Sequence, residues 1–308
     1  MLHSNTRQRS IGLLCALLAT MCWASNYTVV RYFFNGINAG NVEELWMIWL
    51  RLPLGIGVLL PFTLMKKSGS WGDFKKQWKE DWKIFALIAA CTVSEGALGF
   101  LAMKYTTGAR ASLMANMSPV FTIVISVLAG REILNRRKTA GIFLGMVGIL
   151  LAAFSRGGDI FSGGNSMLGG DLLALTSGIF WALFTVFGGM VSSRYNGAFC
   201  TVLYRLGGMI YLLPVLLICN TVMTFDLPGK VWIFLLYLAA VPGGIAVWLW
   251  SIAQKYVEPG VLGAFGYLSA FCATAFSVFF LQERLSLQFI IAFILILGGM
   301  GLAIRNRR

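Results

Sequence analysis

Glu95 stands in the middle of an otherwise apolar stretch, in Thr92-Val93-Ser94-Glu95-Gly96. A carboxylate in such surroundings can take up and release a cation or a proton, because burial raises its proton affinity and exposure lowers it. Arg51 offers a competing reading. At 1.5 Å of rise per residue it lies roughly 9 Å, and Glu95 roughly 12 Å, from the ends of their apolar stretches, so the two can meet in a permanent ion pair that fixes packing instead. Both readings stay open. Arg205 carries a planar fork of donors suited to a carboxylate or a phosphate. An arginine near the end of an apolar run more simply snorkels its head to the interface, and that is the expectation here. Trp23, Asn26, Trp181, Trp248 and Tyr267 supply aromatic surface with polar tips, the lining an amphipathic or cationic small molecule needs; taken singly, each is better explained by packing. Asn116 and Ser118 precede Pro119, whose ring removes a backbone donor and frees a carbonyl. With Pro53, Pro214 and the run Pro242-Gly243-Gly244 it marks either a hinge or a static kink.

Other chemistry lacks its parts. His3 is the one histidine, and Cys15, Cys22, Cys91, Cys200, Cys219 and Cys272 fall in apolar stretches with no Cys-x-x-Cys pair, so they read as buried free thiols and no metal site is expected. An enzyme needs a nucleophile and base, or a metal set, within reach of one another, and the residues for neither are present. No Gly-x-x-x-x-Gly-Lys-Ser/Thr loop offers to hydrolyse ATP, and no cofactor is expected.

Hydropathy predicts the elements that hold these residues. Of 308 residues 58% are hydrophobic and 12% charged, with a mean hydropathy of +0.76. The apolar residues gather in stretches of about 18 to 23, the length that crosses roughly 30 Å of hydrocarbon as a helix. Ten such spans are expected: 11–33, 44–65, 84–103, 109–130, 139–155, 170–191, 199–220, 231–251, 260–281 and 287–304. The first is read as a span and not a signal peptide, because it continues to Phe34 without a small-x-small cleavage site. No alternating strand pattern appears, and spans in lipid must satisfy their own backbone, so they are helices.

The net charge of +13 does not point to nucleic acid, since the cations sit at span ends and not on one solvated face. With the N-terminus inside, that side gathers Arg7, Arg9, Lys66, Lys67, Lys75, Lys76, Lys79, Lys83, Arg131, Arg136, Arg137, Lys138, Arg194, Lys255 and the C-terminal arginines. The other side keeps Lys104, Arg110, Arg156, Lys230 and Arg284. The positive-inside rule therefore puts both termini in the cytoplasm, and the expected location is the cytoplasmic (inner) membrane.

The sequence also repeats at an offset of 151. Ala102-Met103-Lys104-Tyr105 returns as Ala253-Gln254-Lys255-Tyr256, Ser118 as Ser269, Glu132 as Glu283, Leu134 as Leu285 and Gly148 as Gly299. Five spans per copy force the second copy to insert upside down. The expected architecture is all-α integral membrane, ten transmembrane helices in two inverted five-helix repeats around a central cavity: repeat one at 1–155, linker 156–169, repeat two at 170–308.

Trp23-Ala24-Ser25-Asn26 in the first span, Ser118-Pro119-Val120 and Gly130-Arg131-Glu132 around the fourth, and Gln282-Glu283-Arg284-Leu285 after the ninth resemble the EamA family of the drug/metabolite transporter superfamily. The second copy departs from the first by placing Ala270 where Pro119 would recur. The resemblance implies a basket of spans one to four and six to nine, with five and ten peripheral, working by alternating access. It implies an exporter of amino acids or related metabolites, with proton coupling, import or facilitated passage of another solute left open, as is a homodimer. Pro119, Glu132 and Glu283 read as architecture or gating. A structural or assembly role without transport is the remaining alternative. The expected partners are a small-molecule substrate and the lipid bilayer.

Overall fold

The computed structural model of the chain describes residues 6–36, 44–64, 71–106, 108–133, 135–155, 167–281 and 287–304. Among these it is helical: α1 Thr6–Gly36, α2 Glu44–Leu64, α3 Trp71–Tyr105, α4 Gly108–Ala115, α5 Ser118–Leu128, α6 Arg136–Ser155, α7 Leu168–Ser192, α8 Gly197–Ile218, α9 Gly229–Ala240, α10 Ala246–Tyr256, α11 Pro259–Leu281 and α12 Leu287–Ile304. A π-helical turn, Val241–Ile245, joins α9 to α10. Five stretches among the described residues are long and apolar enough to cross a membrane: Leu45–Thr63, Lys79–Gly99, Leu168–Ser192, Gly197–Ile218 and Gly229–Tyr256.

Three spans differ from their expected form. The third begins thirteen residues early, because Trp71 to Lys83 is not a loop but the start of a 35-residue helix. The fourth is two helices, α4 and α5, separated by a turn at Asn116 and Met117. Pro119 therefore sits in the first turn of α5, where a missing N–H leaves nothing unsatisfied, and not inside a kinked span. In the second copy, with Ala270 at the matching place, α11 runs unbroken. The eighth span is continuous but loosened: Pro242 cannot donate, and the ladder crosses it with a five-residue bond from the Ala246 N–H to the Val241 carbonyl.

The helices sort into two compact units, Met1–Val93 with Phe187–Tyr256 and Ser94–Val186 with Val257–Arg308. Each unit draws on both halves of the sequence, and α3 and α7 contribute to both. In the first unit α2 packs on α8 and α9, and α1 on α10 and the π turn. In the second, α6 packs on α12 and α5 on α11.

The α6–α12 crossing is the closest. Neither Gly141 nor Gly299 has room for a Cβ, since each would run into the other's carbonyl. A Cβ on Gly148 would likewise fall 2.9 Å from the Ala292 carbonyl, and one on Gly299 2.8 Å from the Gly145 nitrogen. Small residues allow backbones this near, the usual basis of helix association in lipid. Several hydroxyls inside the helices are satisfied locally: Thr20, Thr122, Thr201 and Ser251 each donate to the carbonyl four residues back, at 2.7 to 2.9 Å.

Candidate functional site

In the first unit the polar groups converge on the π turn. Its widened ladder leaves the Pro242 carbonyl for an outside donor, and the Trp23 indole N–H supplies one at 2.9 Å. Trp250 stands edge-on to Trp23, with centroids 5.1 Å apart. Two residues along α1, the Ser25 hydroxyl meets the Tyr237 hydroxyl at 2.6 Å.

Arg205 lies on the other side of the turn. Its guanidinium rests against Gly55 and Gly243, neither of which could carry a Cβ beside it, and it donates to the Arg51 carbonyl at 3.0 Å. Only 7% of the residue is exposed, and its Nε has no partner among the described residues. The snorkelling expectation for Arg205 is thus corrected: two glycines open a slot inside the protein that the head group fills. A buried donor left unbonded is costly, and it is a handle for an acceptor that arrives from outside. Trp248 packs at 5.2 Å from Phe62 and against Gly197.

In the second unit α3 and α7 approach through small residues. The Glu95 carbonyl accepts from the Ser177 hydroxyl at 3.0 Å, and Gly170 abuts Thr106 so closely that a Cβ would lie 2.7 Å from its nitrogen. Glu95 is half-buried in this unit, whereas Arg51 belongs to the first. Trp181 stacks edge-on with Phe184 at 5.5 Å, and Asn116 occupies the turn between α4 and α5. Tyr267 is fully buried, its ring against Gly145 and among Ile123, Ile142, Ile149 and Ile296. The structure places it in the apolar core of α5, α6, α11 and α12. The side chain of Asn26 and all of Glu283 lie outside the described residues.

Three charged clusters tie helix ends. Glu132 accepts from Lys138, from the Gly260 N–H at 2.8 Å and from the Ser126 hydroxyl at 3.3 Å. Lys138 also bonds Glu258 at 2.9 Å, so one buried lysine links the ends of α5, α6 and α11. Asp171, at the start of α7, is ion-paired with Arg110, whose Nε lies 3.1 Å from both of its oxygens, and accepts from Thr106 at 2.7 Å. In the first unit Asp81 accepts from Arg194 at 2.7 Å and from the Tyr195 hydroxyl at 2.5 Å. Burial, with the Asp81 carboxylate next, pushes the Tyr195 phenol well above the ordinary tyrosine value. Beside it Asp73, Gln77, Glu80, Arg194 and Tyr195 line an open cleft of 580 Å³.

Sequence reasoning did not single out Asp81 or Asp171. Each has a plain signal in hindsight, an acid at the margin of an apolar run, but its basic partner is 113 or 61 residues away.

The model of a family described as the EamA-like transporter family matches residues 10–154 and again 168–305. An uncharacterized transporter of Archaeoglobus fulgidus is 25% identical over 279 residues, 87% of this chain and 88% of its own. A protein of Ancylobacter novellus named aromatic amino acid exporter YddG is 25% identical over 213 residues, 66% of this chain and 69% of its own. A solved crystal structure superposes with a TM-score of 0.81 over 96% of both chains at 20% identity.

Proposed function

Since the chain belongs to the EamA-like transporter family, we propose that it is a secondary-active exporter of amino acids or related small metabolites, working by alternating access. The observation that carries the reading is the double match of one transporter family to both halves of the chain. The relative named an aromatic amino acid exporter favours amino acids as cargo.

The proposed architecture is ten transmembrane helices in two inverted repeats. On that reading α2 and α8, α5 and α11, and α6 and α12 are equivalent helices, and each pair is in contact. The contacts themselves obey the exchange. At the offset of 151, Gly141 corresponds to Ala292 and Gly148 to Gly299, so the approach of Gly141 to Gly299 has its counterpart in that of Gly148 to Ala292. Likewise Gly145 to Gly299 has its counterpart in Gly148 to Ile296. Reciprocal contacts of this kind are the signature of a local two-fold axis, and because the partner number falls on α12 as it rises on α6, the two helices run antiparallel, which favours inverted repeats over parallel ones. The same topology, with both termini cytoplasmic in the inner membrane, puts 131–138 and 258–260 on one side, as the Lys138 bridge requires, and 106–110 and 170–171 on the other, as the Asp171 pair requires.

Within this reading Arg205, with its unpartnered Nε, serves a substrate carboxylate, and the indoles of Trp23 and Trp248 supply apolar wall. Trp181 and Asn116 are the corresponding candidates in the second unit. Glu95 serves a coupled proton. The reading is tested with purified protein in liposomes, a panel of labelled amino acids and an imposed pH gradient. Saturable movement of an aromatic or other amino acid, faster with the gradient and lost in Glu95→Gln, is the expected result. Folded protein that moves no amino acid would sink it, and full gradient-driven transport by Glu95→Gln would remove the coupling role.

A further inference from the structure

We infer that the exposed basic face of the first turns of α3 is a docking surface for anionic phospholipid headgroups. Lys75, Lys76, Lys79 and Lys83 are all exposed. At 3.6 residues per turn they fall within an arc of about 100°. The opposite arc holds Phe74, Asp81, Phe85 and Ile88, all buried, and is fixed to the protein by the Asp81 bonds and by ring contacts of Phe74 and Phe85 with Tyr195 and Phe199. The helix cannot roll, so the lysines must face outward.

The same outward arc continues up the helix as Ala86, Leu87 and Ala90, with Leu87 46% exposed. An apolar residue on that face one turn beyond Lys83 marks where hydrocarbon begins, and Trp82, 41% exposed beside Lys83, sits where indoles collect at membrane interfaces. The extra length of α3 agrees: 35 residues span about 52 Å, roughly 20 Å more than the hydrocarbon needs. Lys83 and Lys79 then stand about 6 and 12 Å outside the hydrocarbon, within reach of headgroup phosphates, while Lys75 and Lys76 stand about 17 Å out and act only through the screened field.

The proposal rests on the membrane reading but not on the transport cycle, and its test needs no substrate. Protein in nanodiscs of equimolar phosphatidylcholine and phosphatidylglycerol is released into a mass spectrometer at low ionic strength, and the retained phosphatidylglycerol is counted. Lys79→Gln with Lys83→Gln is expected to lower its preference roughly fivefold per lysine. Lys75→Gln with Lys76→Gln should lower it less, by an amount that vanishes at high salt. Lys79→Arg with Lys83→Arg, which keeps the charge, should retain it and so separates charge loss from misfolding. Unchanged retention in the Gln pair, an equal loss from Arg136→Gln alone, or displacement of the lipid by a soluble phosphopeptide would each overturn the proposal. A failed transport assay would leave this result standing, and the reverse holds too.

Discussion

Removing the Lys138 ammonium isolates the strongest of the charged ties. Lys138→Met keeps the volume of the stem and deletes the charge that links Glu132 to Glu258. Glu258 has a side chain 36% exposed and can turn to water, so the penalty falls on Glu132, whose side chain is 4% exposed. Taking one partner from a buried pair typically costs about 3–5 kcal/mol. Glu132 keeps the Gly260 N–H and the Ser126 hydroxyl, which places the loss at the lower end. Lys138→Met is therefore expected to lose about 3 kcal/mol at pH 7. The double variant with Glu132→Gln, which strands no charge, should recover about 2 kcal/mol of the loss at pH 7. Denaturation by sodium dodecyl sulfate in mixed micelles at pH 7, followed by tryptophan fluorescence, reads both variants. A loss under about 0.5 kcal/mol in Lys138→Met, or a double variant no more stable than the single one, would refute the bridge as drawn.

Other sites give separate tests. Gly141→Ala drives a methyl into the Gly299 carbonyl and should cost about 1–3 kcal/mol, whereas Gly57→Ala, with nothing near its Cβ, should be neutral or gain up to about 1 kcal/mol in the same denaturation assay. Trp23→Phe deletes the donor to the Pro242 carbonyl and should cost about 1 kcal/mol and slow transport several-fold, read by the liposome assay. The Tyr195 phenol is raised above its unfolded value, so its stabilisation is whole below the ordinary tyrosine value of about 10 and is lost as pH climbs toward the folded one. Denaturation midpoints from pH 8 to 11 should fall at the alkaline end for the wild type and stay flatter for Tyr195→Phe.

The helical membrane class was legible because the apolar runs have the one length a bilayer demands. The local forms of those runs were less so. Pro119 and Pro242 look alike in the sequence, each an imino acid within an apolar stretch, yet one begins a new helix and the other sits in a π turn. In the π turn the Ala246 N–H reaches back to Val241, so the Pro242 carbonyl is left for an indole from α1, 219 residues away, and no local pattern announces such a donor. The lysines before residue 84 fall outside the expected third span because their charge hides the helical period. That period becomes visible once Phe74, Asp81 and Phe85 are seen to share the buried face.

Arg205 shows why depth along a span does not fix a side chain's fate. An arginine at its level snorkels when its path to the interface is cheaper than any seat inside, and the balance turns on what its neighbours lack. Gly55 comes from another helix, 150 positions upstream, and Gly243 from the π turn, so the slot exists only after three helices have packed. Either glycine alone reads as an ordinary break or contact point. Together they admit a guanidinium that answers the Arg51 carbonyl and whose buried Nε has no partner among the described residues. That open donor beside an irregular helix separates Arg205 from the better paired Lys138 and Asp171, and it is the ground on which the proposed carboxylate contact is given to Arg205.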